Sequence, residues 1–161
     1  MAEPPVADAS PLIVLARAEW MEILLVAGER LVVPRPVAAE VFRRGPNDPA
    51  VRALTELAWL EVLEPGPFSP RVLAWDLDLG ETAVLSWALA HPGAEAIIDD
   101  KAGRRCAESL GIPIRGTVGL ILEARHRGVI AAARPVIDDV RRSGLYLSDR
   151  VVNEALRRIG E

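Results

Sequence analysis

Short apolar runs alternate with helix-like segments along the whole chain, and this alternation limits the fold more than any other feature of the sequence. The runs are Val6-Ala7-Asp8, Leu31-Val32-Val33, Leu60 to Leu63, Ala96 to Asp100 and Ile112-Pro113-Ile114. They are nearly continuous in aliphatic residues rather than alternating, as expected of strands buried on both faces. Strands separated by helices imply βαβ units and a mainly parallel sheet covered by helices. At 161 residues the chain suits a single domain spanning 1–161, with a core that is aliphatic because aromatics make up only 4%.

Helical spacing predicts helices over 12–27, 36–44, 49–58, 101–110, 118–127, 130–143 and 148–159, with a strong one opening at Gly80-Glu81. Ser10 is placed to cap the first with Pro11 in its first turn, and Asp48 precedes Pro49 as a cap of the third. Trp20, Trp59, Trp75 and Trp87 sit in apolar contexts that suggest core packing. Cys106, the only cysteine, leaves no internal disulfide and reads as a small buried hydrophobe. Glu3 near the start, and Arg17, Glu19 and Glu22 within the first apolar helix, argue against a signal peptide or membrane span, so a cytoplasmic location is expected. A net charge of −4 provides no global field for nucleic acid, and any such binding must come from a local basic patch.

The carboxylates point to chemistry. Asp99 and Asp100 end an apolar run, where two adjacent acids repel and a bound cation is the commonest reason to keep them together. Asp8 stands at the first strand-to-helix junction, Glu40 on the mostly apolar side of its helix, and Glu81 in the first turn of the Gly80 helix, where it also suits the helix dipole. In a parallel sheet ligands gather outside the C-terminal strand edge. Acids from four segments, with no His or Cys among them, describe a hard-cation site for Mg²⁺ or Mn²⁺ and phosphate chemistry. Asp76-Leu77-Asp78 has the spacing of a phosphoryl-transfer aspartate pair but lacks its following residue. His91 and His126 lie at helix ends without partners for catalysis.

Asp8-Ala9-Ser10 after a short strand, VPRPVAAEVF with Pro34 and Glu40, LGETAVLSWA with Gly80-Glu81, and IIDDKAGRRCAESLGIPIRGTVGLI together resemble the PIN-domain superfamily. The resemblance is to the branch close to the toxin nucleases of toxin–antitoxin pairs and runs from about Val6 to the end. It implies a three-layer α/β/α sandwich and a magnesium- or manganese-dependent endoribonuclease with an RNA substrate and a cognate antitoxin. By position it assigns Asp8, Glu40, Glu81 and Asp100 as catalytic metal ligands, with Asp99 as the alternate to Asp100 and Ser10 supporting the first acid. Lys101, Arg104 and Arg105, and also Arg17, Arg43 and Arg44, lie near these acids and are candidates for RNA phosphates. The apolar surfaces of the helices over 13–26 and 49–58 would suit a homodimer. A non-catalytic PIN-like module that binds RNA or protein is the competing expectation.

Overall fold

The computed structural model describes residues 2–161. Five parallel strands, β1 (Val6–Ala7), β2 (Leu31–Pro34), β3 (Leu60–Leu63), β4 (Ala96–Ile97) and β5 (Ile114–Arg115), form one sheet in the order β3-β2-β1-β4-β5. Between and after them come α1 (Ala9–Arg17), a 3-10 turn (Met21–Val26), α2 (Arg35–Phe42), α3 (Pro49–Glu56), α4 (Pro70–Leu73), α5 (Leu79–Ala90), α6 (Lys101–Ser109), α7 (Thr117–His126), α8 (Ala133–Arg142) and α9 (Asp149–Arg158). The expected α/β sandwich is present, and its sheet is parallel throughout.

Registers follow the apolar runs: Val6 opposes Val32 on one side and Ala96 on the other, and Ala7 opposes Ile97. Val6, Ala7, Leu31, Val33, Ala96, Ile97 and Ile98 are fully buried, which explains why these strands carry no polar alternation. Connections from β1 to β2 to β3 run one way across the sheet, and those from β3 to β4 to β5 run the other. Right-handed crossovers therefore place their helices on opposite faces. In line with this, α1 packs on α3 while α5 packs on α6, β1, β2 and β4, and α2 bridges the two sets by packing on α5 as well as on α1 and α3. The reversal falls between β1 and β4, whose C-terminal ends flank the crevice where such sheets bind ligands.

Several local expectations are corrected. The periodic stretch 12–27 is not one helix: α1 ends at Arg17, Glu19 takes a left-handed φ of 62°, and a 3-10 turn follows. Apolar periodicity survives the break because both pieces pack on the same core through Leu12, Leu15, Ile23 and Leu24. Ser10 lies inside α1, and Asp8 holds the N-cap position without a side-chain cap bond. The last strand sits at 114–115, and α8 starts at Ala133, just ahead of Pro135 in its first turn. Trp20, Trp59 and Trp87 pack against the core as expected, but Trp75 is 39% exposed in the loop between α4 and α5. Cys106 is buried, and burial pushes its thiol pKa up. No helix among the described residues is long and apolar enough to cross a membrane.

Candidate active site

Asp8 reaches the crevice because its amide continues the β1–β4 ladder, donating to Ile97 O at 3.1 Å, while α1 begins at the next residue. This puts its carboxyl at the C-terminal edge of the central strand, 7% exposed. Glu40 arrives from α2, which starts as soon as β2 ends at Pro34. Gly80 at the head of α5 joins the two: a Cβ there would lie 3.3 Å from both Asp8 Oδ1 and Glu40 Oε2. Those oxygens are therefore separated by no more than twice that distance. A side chain there would press on both carboxyls, which would have to give by a few tenths of an ångström.

Glu81, 8% exposed, follows on the first turn of α5, and its Oε2 lies 3.5 Å from the Cβ position of Gly103 on α6. The absence of a side chain at Gly103 lets α6 pass close to this acid. Asp78 caps α5 by accepting from the Glu81 amide at 2.8 Å and stands among the acids facing both Asp8 and Glu81. Sequence reasoning weighed Asp78 only as half of Asp76-Leu77-Asp78. Its position three residues before Glu81, as in a capping box, was the available signal.

The Asp99/Asp100 pair divides its work. Asp99 accepts from Thr117 N at 2.8 Å and Thr117 Oγ1 at 2.7 Å, tying β4 to the start of α7. Arg104 donates to Ile98 O at 3.2 Å and lies beside Asp99. Asp100 is exposed and caps α6, its Oδ2 accepting from Ala102 N at 2.9 Å and Gly103 N at 3.2 Å. Asp99 faces Asp8 and Asp100 faces Glu81, so both border the cluster from the β4 side. Lys101 and Arg105 are exposed on the first turns of α6, while Arg104 folds inward. Ser10 lines an open cleft with Glu40 on the outer side of the cluster.

Electrostatics register this crowding. Burial raises the Asp8 pKa to about 7, opposed by the Ala9 amide and reinforced by Asp78, Glu40 and Asp99. Burial also raises Glu81, with Asp78, Asp8 and Asp100 adding like charge. Asp99 is lifted by burial despite the Thr117 hydrogen bonds and Arg104. Carboxyls in this state gain from a nearby cation, which would restore their ionised forms.

Among the described residues no three His, Cys, Asp or Glu side chains form a ready-made cage for an ion. Local hydrogen bonds account for this, since Asp78, Asp99 and Asp100 are turned toward backbone amides or Thr117. The donor chemistry nevertheless fits Mg²⁺ or Mn²⁺. All donors are oxygens, and magnesium is usually held by one or two carboxylates with retained waters and substrate phosphates rather than by a full protein cage. Asp8 and Glu40, with Glu81 close behind, could supply those carboxylates.

The acids thus line a crevice at the switch point of a parallel α/β sheet. The family model DUF3368, a PIN domain, matches residues 4–161, and the chain belongs to this family. No curated protein matched the chain. PIN domains are generally nucleases, which makes hydrolysis of nucleic acid the activity class of this fold.

Proposed function

We propose that this protein is a Mg²⁺- or Mn²⁺-dependent endoribonuclease acting as the toxin of a toxin–antitoxin pair. The observation that carries the reading is the meeting of Asp8 and Glu40 across Gly80 at the β1–β4 crevice, with Glu81 behind them. In this reading Asp8, Glu40 and Glu81 hold the metal, Asp100 or Asp99 completes the set from the β4 side, and Ser10 supports the approach to Asp8. A bound divalent cation supplies charge neutralisation at the phosphodiester and an activated water. The chain's own residues do the positioning: the β1–β4 ladder fixes Asp8, the α5 cap fixes Glu81, and Thr117 orients Asp99. Lys101 and Arg105 stand exposed on the β4 side, where they would meet RNA phosphates, while Arg104 is turned inward to Ile98 O.

The test is cleavage of single-stranded RNA by the purified protein with and without Mn²⁺. Wild type should cut only with metal, and Asp8→Asn should lower the rate by at least about a hundredfold while still unfolding in one cooperative transition, as expected for loss of a group that stabilises transition-state charge. Undiminished cutting by Asp8→Asn would refute the site. No cutting by wild type, together with metal-independent RNA binding, would identify a non-catalytic module. A short neighbouring gene for a DNA-binding protein that copurifies with this chain would support the toxin role.

A further inference from the structure

Beside the acids, on the side away from β4, an open cleft of about 280 Å³ runs past Ser10, Arg17, Glu40, Arg44, Ser143 and Gly144. Glu40 belongs to both the cleft and the acid cluster, so the two spaces adjoin. Arg17, in the last turn of α1, is anchored by one contact, Nη1 donating to Ser143 O at the C-terminal end of α8 at 3.0 Å. It makes no ion pair among the described residues, and the rest of its guanidinium fork is unengaged. Arg44 uses Nε to bond Asp48 at 2.9 Å, and its two Nη groups make no hydrogen bond among the described residues. Gly144 borders the far wall at a φ of 113°, a backbone conformation that favours glycine. Two guanidiniums with free Nη donors thus line the cleft, balanced in charge by two carboxylates, Glu40 in the cleft and Asp48 beside Arg44.

We propose that this cleft holds a backbone phosphate of single-stranded RNA adjacent to the one cleaved at the acids, gripped by Arg17 and Arg44. The inference rests on the ribonuclease reading. Guanidinium forks match phosphate oxygens in shape and charge. Glu40 repels an anion from its own end of the cleft, so the phosphate sits at the arginine end and the strand continues past Glu40 toward Asp8. The two arginines come from α1 and the α2–α3 turn. The subsite therefore sets the direction of the strand as well as its affinity.

The experiment measures binding of a fluorescent single-stranded oligoribonucleotide in EDTA, where metal-dependent cleavage is off, across a salt series. For a single strand, each lost phosphate contact reduces the slope of log K against log salt by about 0.7. Arg17→Gln and Arg44→Gln should each lose about that much slope and bind several-fold more weakly. Arg17→Lys and Arg44→Lys keep the charge and should keep the slope, which a merely structural role for either arginine does not predict. Arg30→Gln, at the opposite edge of the sheet where Arg30 pairs with Glu61, serves as the control and should match wild type. Wild-type slopes in both glutamine variants, or arginine-dependent capture of polyglutamate in place of RNA, would overturn the subsite. RNA cleavage by the wild type is scored separately with Mn²⁺. Cleavage with unaltered slopes removes only the subsite, whereas altered slopes without cleavage remove only the nuclease reading.

Discussion

Asp8 is the residue on which the site turns, and its raised pKa has a consequence for stability. The folded protein keeps a proton on Asp8 up to about pH 7, while the unfolded chain loses it near 4. Between these values the native state binds more protons, so unfolding free energy falls as pH rises through that window and levels off above it. Glu81 and Asp99 are raised as well and act in the same direction. In metal-free buffer the melting temperature should therefore decline from pH 5 to pH 7.5. Asp8→Asn should flatten that decline and stabilise the metal-free protein at pH 7.5 by on the order of 2 kcal/mol, or roughly 5 °C. A pH-independent melt would show that Asp8 is not strained. Thr117 offers a second check: Thr117→Val leaves the buried side of Asp99 without its 2.7 Å hydroxyl partner and should cost about 1–3 kcal/mol in denaturant unfolding.

Among the elements, α5 contributes most to the site, because its first turn brings Gly80, Glu81 and the capping Asp78 to the crevice together. Gly80→Ala should retain the fold and lose most of the metal-dependent activity, since the new methyl group would press on both Asp8 and Glu40 at 3.3 Å. Activity equal to wild type would mean that the two carboxyls do not act as a pair. How far these elements could be read in advance depended on the physics behind each. Strands buried on both faces announce themselves as apolar runs, and Asp48 before Pro49 marked the start of α3 correctly. The break after α1 was hidden because periodicity reports burial, and a 3-10 turn can bury the same residues as an α-helix. The direction of Trp75 was hidden for a related reason, since an apolar neighbourhood in sequence does not say whether a loop is packed. Within the acid pair, sequence spacing favoured Asp100, and the structure adds that each member already serves a different local hydrogen-bond set.

For the whole molecule, the order β3-β2-β1-β4-β5 gathers residues distant in sequence, with Asp8 and Asp99 flanking the reversal between β1 and β4. Acids from four segments were legible because strand ends and helix starts leave sequence signatures. Arg17 and Arg44 were legible as candidates for RNA phosphates, but the cleft they share with Ser143 was not, because only tertiary packing brings the end of α8 to α1. The account holds that the acids form one divalent-cation site, and a ligand bound only by the folded state raises its melting temperature by mass action. The most direct measurement is the melting temperature of wild type, Asp8→Asn and Glu40→Gln at pH 7.5 as Mn²⁺ is titrated. Wild type should rise steadily with metal while both variants stay nearly flat. Equal rises in all three proteins, or no rise in wild type at millimolar Mn²⁺, would contradict a metal site at the β1–β4 crevice.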